Sequence, residues 1–345
     1  MKHRLYTTSQ KAWDGMFKAM LKAEKSIYME MYILQNDTQS THNFIGLLKE
    51  KAQAGLEVVI IADAFGSFAL RGQAVAELRA AGIEFIFFSH YLRRTHRKIV
   101  IIDNRVAFLG GVNIKERNRN WLDLQIKIEG RIVIPLLQSF AYAYALIGGK
   151  RESILKYNRL SIVKKIQSWI IDTFVGNTKT YNLNNYYRDR LMGAQKSIKI
   201  ATPYLLPPRR LLAALDNACL RGVSVEILIP NNTDIHHLNK INYLNACRMS
   251  AFGVRFYLMP RMNHAKIMIV DDEECVVGSQ NMDVLSFSFN MEVGVFFRQK
   301  KLVADLIKVF NHWKDESLDF NSTAKKLTIM DKILITIFKI FYPIL

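Results

Sequence analysis

Short runs of valine, isoleucine and other apolar residues alternate along the chain with longer segments in which apolar residues recur every three or four positions. Runs of the first kind, such as "AGLEVVIIAD" (54–63), are typical of buried strands. Segments of the second kind, "NFIGLLKEKAQAG" (43–55) and "RRLLAALDNACLRG" (209–222), predict helices that end at a glycine, where a left-handed cap is expected. The alternation predicts an α/β fold, with helices on the faces of a sheet.

This pattern occurs twice along the chain. Segments of the first half have similar counterparts in the second: "AEKSIYMEMYIL" (23–34) and "AQKSIKIATPYLL" (194–206), "AGLEVVIIAD" (54–63) and "RGVSVEILIP" (221–230), "AGIEFIFF" (81–88) and "FGVRFYLM" (252–259). His96 and His264 are 168 residues apart, and so are Asn113 and Asn281. A repeat of this length indicates a duplicated domain. We predict one domain over residues 1–172 and a second over 173–322.

A His-x-Lys-x4-Asp pattern lies over an apolar run in each half, in "THRKIVIID" (95–103) and in "NHAKIMIVD" (263–271). Because side chains two apart share one face of a strand, each histidine should lie beside its lysine. A glycine turn and an asparagine follow in each half, in "LGGVN" (109–113) and "GSQN" (278–281). If the halves pack about a pseudo-twofold axis, the two sets converge on one point. The candidate site residues are His96, Lys98, Gly111 and Asn113 with His264, Lys266, Ser279 and Asn281.

Such a set suits a phosphodiester, because cations and amides hold its non-bridging oxygens while two imidazoles divide the nucleophile and acid–base roles. Two further carboxylates, Asp123 and Glu292, lie on later strand-like runs. Each could accept a hydrogen bond from an imidazole and fix its tautomer. Asp103 and Asp271 end their strands, so we expect them to hold the backbone or the lysines in place and not to contact substrate.

Neither a metal nor a cofactor is predicted. A lysine stands beside each motif histidine and would repel a cation. Cys219, Cys247 and Cys275 lack the spacing of a metal site or a disulfide framework, so we expect three reduced thiols. His236 and His237 are further candidates for the mouth of the site.

The net charge of +18 indicates an anionic partner, either nucleic acid or an acidic membrane surface. The basic segments "YLRRTHRK" (91–98) and "IKERNRN" (114–120) flank the first motif. They either bring positive charge to the entrance of the site or are ordinary solvated loops.

The C-terminal segment 323–345 has lysines and threonines on one helical face and apolar residues on the other. This pattern predicts an amphipathic helix that either lies in a membrane interface or docks on the core of the protein itself. We find no apolar signal-peptide region at the N-terminus and no run of about 20 apolar residues that could span a bilayer.

The pattern H-x-K-x4-D, followed by G-G-x-N or G-S-x-N, present twice, resembles the phospholipase D superfamily with its two HKD motifs. "MYILQND" (31–37), "TPYLLPPRRLLAAL" (202–215) and "GSQNMDVLSFSFNMEVG" (278–294) are similar to bacterial cardiolipin synthases in particular. One departure is Leu285 in "DVLSF", where these synthases usually carry arginine.

This resemblance implies two phospholipase D-like domains, each a mixed β-sheet flanked by helices and related by pseudo-twofold symmetry, with one shared, metal-free active site. It implies a phosphohistidine intermediate with His96 as nucleophile and His264 as acid, although the residues alone permit the reverse. It also groups Lys98, Asp103, Lys266 and Asp271 with the catalytic residues.

The leading functional hypothesis is a phosphatidyltransferase that makes cardiolipin from two phosphatidylglycerol molecules and releases glycerol. Its partners would be an anionic phospholipid membrane and phosphatidylglycerol-type substrates, with the protein peripheral on the cytoplasmic face of a bacterial membrane. A lipid hydrolase that uses water as acceptor is a close alternative. A phosphodiesterase on nucleic acid would use the same chemistry, but we find no recognition module. A non-catalytic lipid-binding scaffold conflicts with two intact motifs.

Overall fold

A computed structural model describes residues 2–90, 93–159, 168–173, 183–320 and 328–341. The first half has seven strands: β1 (Lys2–Thr8), β2 (Ser26–Met31), β3 (Glu57–Asp63), β4 (Glu84–Phe88), β5 (Lys98–Ile102), β6 (Val106–Gly110) and β7 (Leu122–Glu129). Its helices are α1 (Ser9–Leu21), α2 (Phe44–Gln53), α3 (Gln73–Ala80), α4 (Val133–Leu146) and α5 (Glu152–Leu155).

The second half continues with β8 (Ser168–Thr173), β9 (Ser197–Ala201), β10 (Leu205–Leu206), β11 (Ser224–Pro230), β12 (Arg255–Met259), β13 (Ile267–Val270), β14 (Glu274–Gly278), β15 (Met282–Asp283), β16 (Glu292–Phe297) and β17 (Leu318–Asp319). Its helices are α6 (Leu183–Gly193), α7 (Arg209–Leu220), α8 (His236–Ser250), α9 (Val284–Ser288), α10 (Lys300–Asp315) and α11 (Ile329–Phe341).

The two large sheets have matching strand orders. The first runs β1-β7-β6-β5-β2-β3-β4, and the second, read in the same sense, runs β8-β16-β14-β13-β9-β11-β12-β17. In each sheet three strands are parallel and the motif hairpin joins them antiparallel, so both sheets are mixed. The predicted α/β class and the duplication are confirmed. Since β8 pairs with β16, the predicted boundary at residue 172 falls inside a strand of the second sheet.

Side chains along the motif strands point alternately to the two faces of their sheet. One face of the first sheet packs against one face of the second sheet. Ile101 and Ile269 belong to one buried cluster that draws residues from both sheets, whereas Val100 and Met268 point to separate clusters beneath the outer helices. This is the period of two expected for strands buried on both faces. The shared cluster fixes the two halves together and so fixes the relative position of the two motifs.

The predicted glycine caps are present. Gly55 follows α2 with φ of +91°, and Gly222 follows α7 with φ of +83°. Both values lie in the left-handed region that glycine adopts without steric cost.

Helix α11 packs on the second domain through one face and leaves another apolar face uncovered. Ile335 is buried, and Leu334 and Phe338 pack against a small cluster that includes Leu238 and Ile241 of α8. The exposed apolar residues are Ile329, Met330, Ile333 and Ile337. Residues 323–327 and 342–345 of the predicted C-terminal segment lie outside the described residues. Within the described ranges, no helix is both long and apolar enough to cross a membrane.

Candidate active site

The two motif histidines meet where the halves contact each other. His96 lies just before β5 and His264 just before β13, and these strands begin two and three residues later, respectively. Backbone hydrogen bonds hold both segments across the interface. His96 N donates to Met291 O at 3.1 Å, and His264 N donates to Leu122 O at 2.7 Å. The equivalent bonds on the two sides express the pseudo-twofold relation at the site itself.

Each imidazole is paired with a carboxylate from the opposite domain. His96 Nδ1 lies 3.0 Å from Glu292 Oε1, and His264 Nδ1 lies 2.9 Å from Asp123 Oδ2. All four side chains are buried. Sequence reasoning identified these carboxylates and their role, but the exchange between domains depends on how the halves pack and has no sequence signal. Because Nδ1 is engaged in both rings, Nε2 is the nitrogen left for substrate.

The two carboxylates have unequal surroundings. Glu292 also accepts hydrogen bonds from the Ser279 hydroxyl and, at 2.7 Å, from the Ser286 hydroxyl. Although burial opposes ionisation, His96, Lys98 and the Ser279 hydroxyl together lower the pKa of Glu292. Within the described residues, Asp123 receives only the backbone N–H of Leu124 in addition to His264, and burial raises its pKa to about 7. Glu292 is therefore an ionised acceptor, whereas the Asp123–His264 pair retains a proton near neutral pH.

Gly111 and Ser279 occupy matching positions and explain this difference. A Cβ atom on Gly111 would lie 2.1 Å from Asp123 Oδ1, so no serine fits there. Ser279 instead donates to Glu292. Neither residue lines the cavity, which corrects their assignment as substrate-binding residues. They position the carboxylates, whereas Asn113 and Asn281 do line the cavity.

The motif lysines lie beneath the histidines. Lys98 Nζ donates to His96 O at 2.6 Å, and Lys266 Nζ donates to His264 O at 2.5 Å. Both are buried and neither lines the cavity. Burial and their mutual repulsion lower the pKa of Lys98, and burial lowers that of Lys266 to about 8. An anion bound in the cavity would offset this repulsion through the protein without touching the lysines, so their buried charge favours a negative ligand there.

Asp103 and Asp271 stand apart from this chemistry. Asp103 Oδ1 accepts from the backbone N–H groups of Lys25 and Ser26, and Asp271 Oδ1 accepts from those of Lys196 and Ser197. Neither lines the cavity. Their grouping with the catalytic residues is therefore corrected: they anchor the hairpin after each motif strand to the start of the neighbouring strand.

The cavity has a volume of about 290 Å³ and is lined from both domains. Three aromatic rings border the imidazoles: Tyr32 lies 4.8 Å from His96, and Trp121 and Tyr204 lie 5.6 and 6.3 Å from His264, between centroids. These rings were missed by sequence reasoning, although a tyrosine occurs in both copies of the first repeated segment. His237 lines the wall, as does Leu285, the residue that departs from the usual arginine.

A buried ion pair supports the first motif from behind. Arg97 lies 3.4 Å from Glu30 and donates to the Ser139 hydroxyl, while the Thr95 hydroxyl donates to Glu30 at 2.5 Å. Sequence reasoning also missed this network. It fixes the residues on either side of His96 and so holds the imidazole in place.

Comparison with known proteins agrees with this geometry. A family model described as cardiolipin synthase, PLD-like domain, matches residues 16–141 and again 187–314. The cardiolipin synthase of Clostridium perfringens (strain 13 / Type A) is 32% identical over 330 residues, which cover 89% of this chain and 69% of that protein. The minor cardiolipin synthase ClsB of Bacillus subtilis (strain 168) is 30% identical over 299 residues, 82% of this chain and 73% of that protein.

The chain spans about two thirds of the length of such curated relatives. Among solved structures, the phosphatidylserine synthase of Haemophilus influenzae Rd KW20 shares the fold, with a TM-score of 0.76 at 16% identity over 99% of this chain and 93% of that one. The polyphosphate kinase of Porphyromonas gingivalis superposes over 98% of this chain and 53% of its own, with a TM-score of 0.63. The resemblance inferred from the repeated motif is confirmed: the chain belongs to the cardiolipin synthase family with a PLD-like domain, present here twice.

Proposed function

We propose that the protein is a phosphatidyltransferase that forms cardiolipin and glycerol from two molecules of phosphatidylglycerol. One observation carries the proposal: two buried imidazoles share one cavity, and each is held by a carboxylate of the other domain. Family membership supports the same activity, because the relatives that match most of the chain are cardiolipin synthases by name.

In the first step His96 Nε2 attacks the phosphorus of the donor lipid. A P–N bond forms, the bond from phosphorus to the glycerol oxygen breaks, and the glycerol oxygen takes a proton from His264 Nε2. Negative charge on the phosphoryl oxygens is stabilised by the positive charges of Lys98 and Lys266, which are buried behind the two histidines. In the second step the hydroxyl of another phosphatidylglycerol attacks the same phosphorus, the P–N bond breaks, and the proton returns to His264.

The unequal carboxylates support His96 as nucleophile and His264 as acid. An ionised Glu292 accepts the Nδ1 proton of His96, which leaves the Nε2 lone pair free and stabilises positive charge on the ring after attack. A proton retained between Asp123 and His264 leaves a proton on His264 Nε2 for the leaving oxygen. The geometry thus supports the order that the family resemblance implies.

We further propose that the protein attaches to anionic membranes, peripherally and on the cytoplasmic face. The uncovered apolar face of α11 supports this, because α11 packs beside cavity residues Ile235 and Leu285. On the first domain, Phe65 and Phe68 are 61% and 65% exposed, and guanidinium groups of Arg94 and Arg71 stack on them. Exposed apolar rings beside cationic groups match the chemistry of an anionic lipid interface.

The direct test is to incubate the purified protein with phosphatidylglycerol vesicles and to resolve the lipid products. Cardiolipin and glycerol should form in equal amounts, and His96→Asn or His264→Asn should abolish both. Phosphatidic acid without cardiolipin would show hydrolysis and overturn the transferase assignment. Cleavage of DNA without lipid turnover would favour a nucleic-acid phosphodiesterase.

A further inference from the structure

Three cationic side chains of the first domain, Arg94, Lys115 and Arg117, line the cavity together with two carboxylates of the second domain, Asp234 and Asp283. Lys98 and Lys266 are buried behind the two histidines and do not line the cavity, so their charge is assigned to the reacting phosphate at the imidazoles. Lys115 and Arg117, on the segment after β6, line the cavity closer to solvent, since Lys115 is half-buried and Arg117 is exposed. Arg94 also lines the cavity, on the segment before β5.

Lys115 and Arg117 have no acidic partner within the part of the chain that the structure describes. The acid between them, Glu116, is 3.0 Å from Arg119 Nε. Cations that line a cavity without a protein counter-ion are available as charge-assisted donors, and the arginine fork matches two phosphate oxygens. An anion bound by these two side chains would not have to displace an existing ion pair.

The wall from the second domain has the opposite chemistry. Asp234 lines the cavity and accepts a hydrogen bond from the Tyr204 hydroxyl through Oδ1 at 2.7 Å. A carboxylate accepts hydrogen bonds from alcohol hydroxyls and repels a phosphate. An acceptor that carries both groups would therefore place its phosphate toward Lys115 and Arg117 and a hydroxyl toward Asp234.

On the basis of the proposed transfer reaction, we propose that Lys115 and Arg117, with Arg94, form a second anion site that holds the phosphodiester of the acceptor phospholipid. The acceptor is thus recognised as an anionic lipid and not only as an alcohol. Its free hydroxyl forms the new P–O bond at phosphatidyl-His96, the P–Nε2 bond breaks, and the hydroxyl proton passes to His264. Glycerol or water as acceptor makes no use of this second site.

The test compares two acceptors for one phosphatidyl-enzyme. Phosphatidylglycerol in uncharged detergent micelles is supplied with radiolabelled glycerol, and both cardiolipin formation and label entering phosphatidylglycerol are measured. In the double variant Lys115→Gln/Arg117→Gln, the ratio of cardiolipin formation to glycerol exchange should fall by about tenfold. The variant loses charge-assisted hydrogen bonds that the lipid acceptor makes and that glycerol does not make. The apparent KM for phosphatidylglycerol as acceptor should rise accordingly.

The matched control is Lys18→Gln/Lys22→Gln, which removes the same charge from exposed positions of the first domain that do not line the cavity. Its ratio should equal that of the unchanged protein. An unchanged ratio in the Lys115/Arg117 variant, or an equal fall in the control, would overturn the second anion site. A wild-type protein that gives neither cardiolipin nor labelled phosphatidylglycerol would instead overturn the proposed function on which the site rests.

Discussion

At the scale of single residues, the site is a pair of similar imidazoles made unequal by their neighbours. Glu292 is held by two serine hydroxyls, whereas Asp123 faces a glycine that leaves no room for a side chain. The pKa of Glu292 is thereby lowered, whereas burial raises that of Asp123 to about 7, so the Asp123–His264 pair holds a proton more readily. Two copies of one motif can in this way serve as nucleophile and acid without any difference in the motif residues themselves.

Ser286 is a positioning residue that acts through Glu292. Ser286→Ala removes a hydrogen bond to a buried carboxylate, so kcat should fall by about tenfold or more. The KM for phosphatidylglycerol should change little, because Ser286 does not line the cavity. Ser288→Ala in the same short helix is the control, since Ser288 is exposed. Equal kinetics for the two variants would contradict the role of Ser286.

The pH profile should report the same asymmetry. His96 must be neutral to attack, and burial, helped by Lys98, lowers its pKa below the ordinary 6.5 against the opposing effect of Glu292. The acid limb of kcat/KM should therefore lie below pH 6.5. Glu292→Gln removes the opposing effect, so its weaker activity should extend to still lower pH. An acid limb above pH 6.5 in the unchanged protein would contradict a buried, neutral nucleophile.

At the scale of elements, much of the fold could be predicted from apolar periodicity. The repeated runs locate β2, β3 and β4 with their counterparts β9, β11 and β12, and the two glycines locate the ends of α2 and α7. Periodicity cannot show that Asp103 and Asp271 bind backbone N–H groups, because that contact joins segments nearly 80 residues apart. The family resemblance grouped both aspartates with the catalytic residues, whereas their position at the strand ends predicted a role in holding the backbone or the lysines, and the structure shows contacts to the backbone.

Helix α11 has one apolar face that packs on the protein and another that is exposed. It docks through Ile335 and leaves Ile333 and Ile337 45% and 48% exposed. Replacing both exposed isoleucines by asparagine should weaken sedimentation with anionic vesicles by about tenfold or more, because apolar area no longer enters the interface. Leu220→Asn is the control, since Leu220 is exposed at the end of α7. Unchanged vesicle binding in the double variant would show that α11 is not the attachment.

At the scale of the whole molecule, the active site exists only because two domains exchange carboxylates. The 168-residue spacing predicted convergence of the motifs, and of the residues named beside them Asn113 and Asn281 line the cavity. The exchange itself could not be predicted, because Glu292 and His96 are 196 positions apart and belong to different sheets. Two isolated parallel β-bridges, one between Thr95 and Met291 and one between Leu122 and Asn263, bring these partners together.

The central claim, that both domains act on one phosphodiester through a covalent bond to His96, is tested most directly by mass spectrometry of the intermediate. The protein is mixed with phosphatidylglycerol, quenched within the first turnover under denaturing, mildly alkaline conditions, and digested. The account predicts a phosphatidyl adduct on the peptide that carries His96, with none on that of His264. An adduct on His264 alone, or cardiolipin formation with no adduct on either peptide, would contradict it.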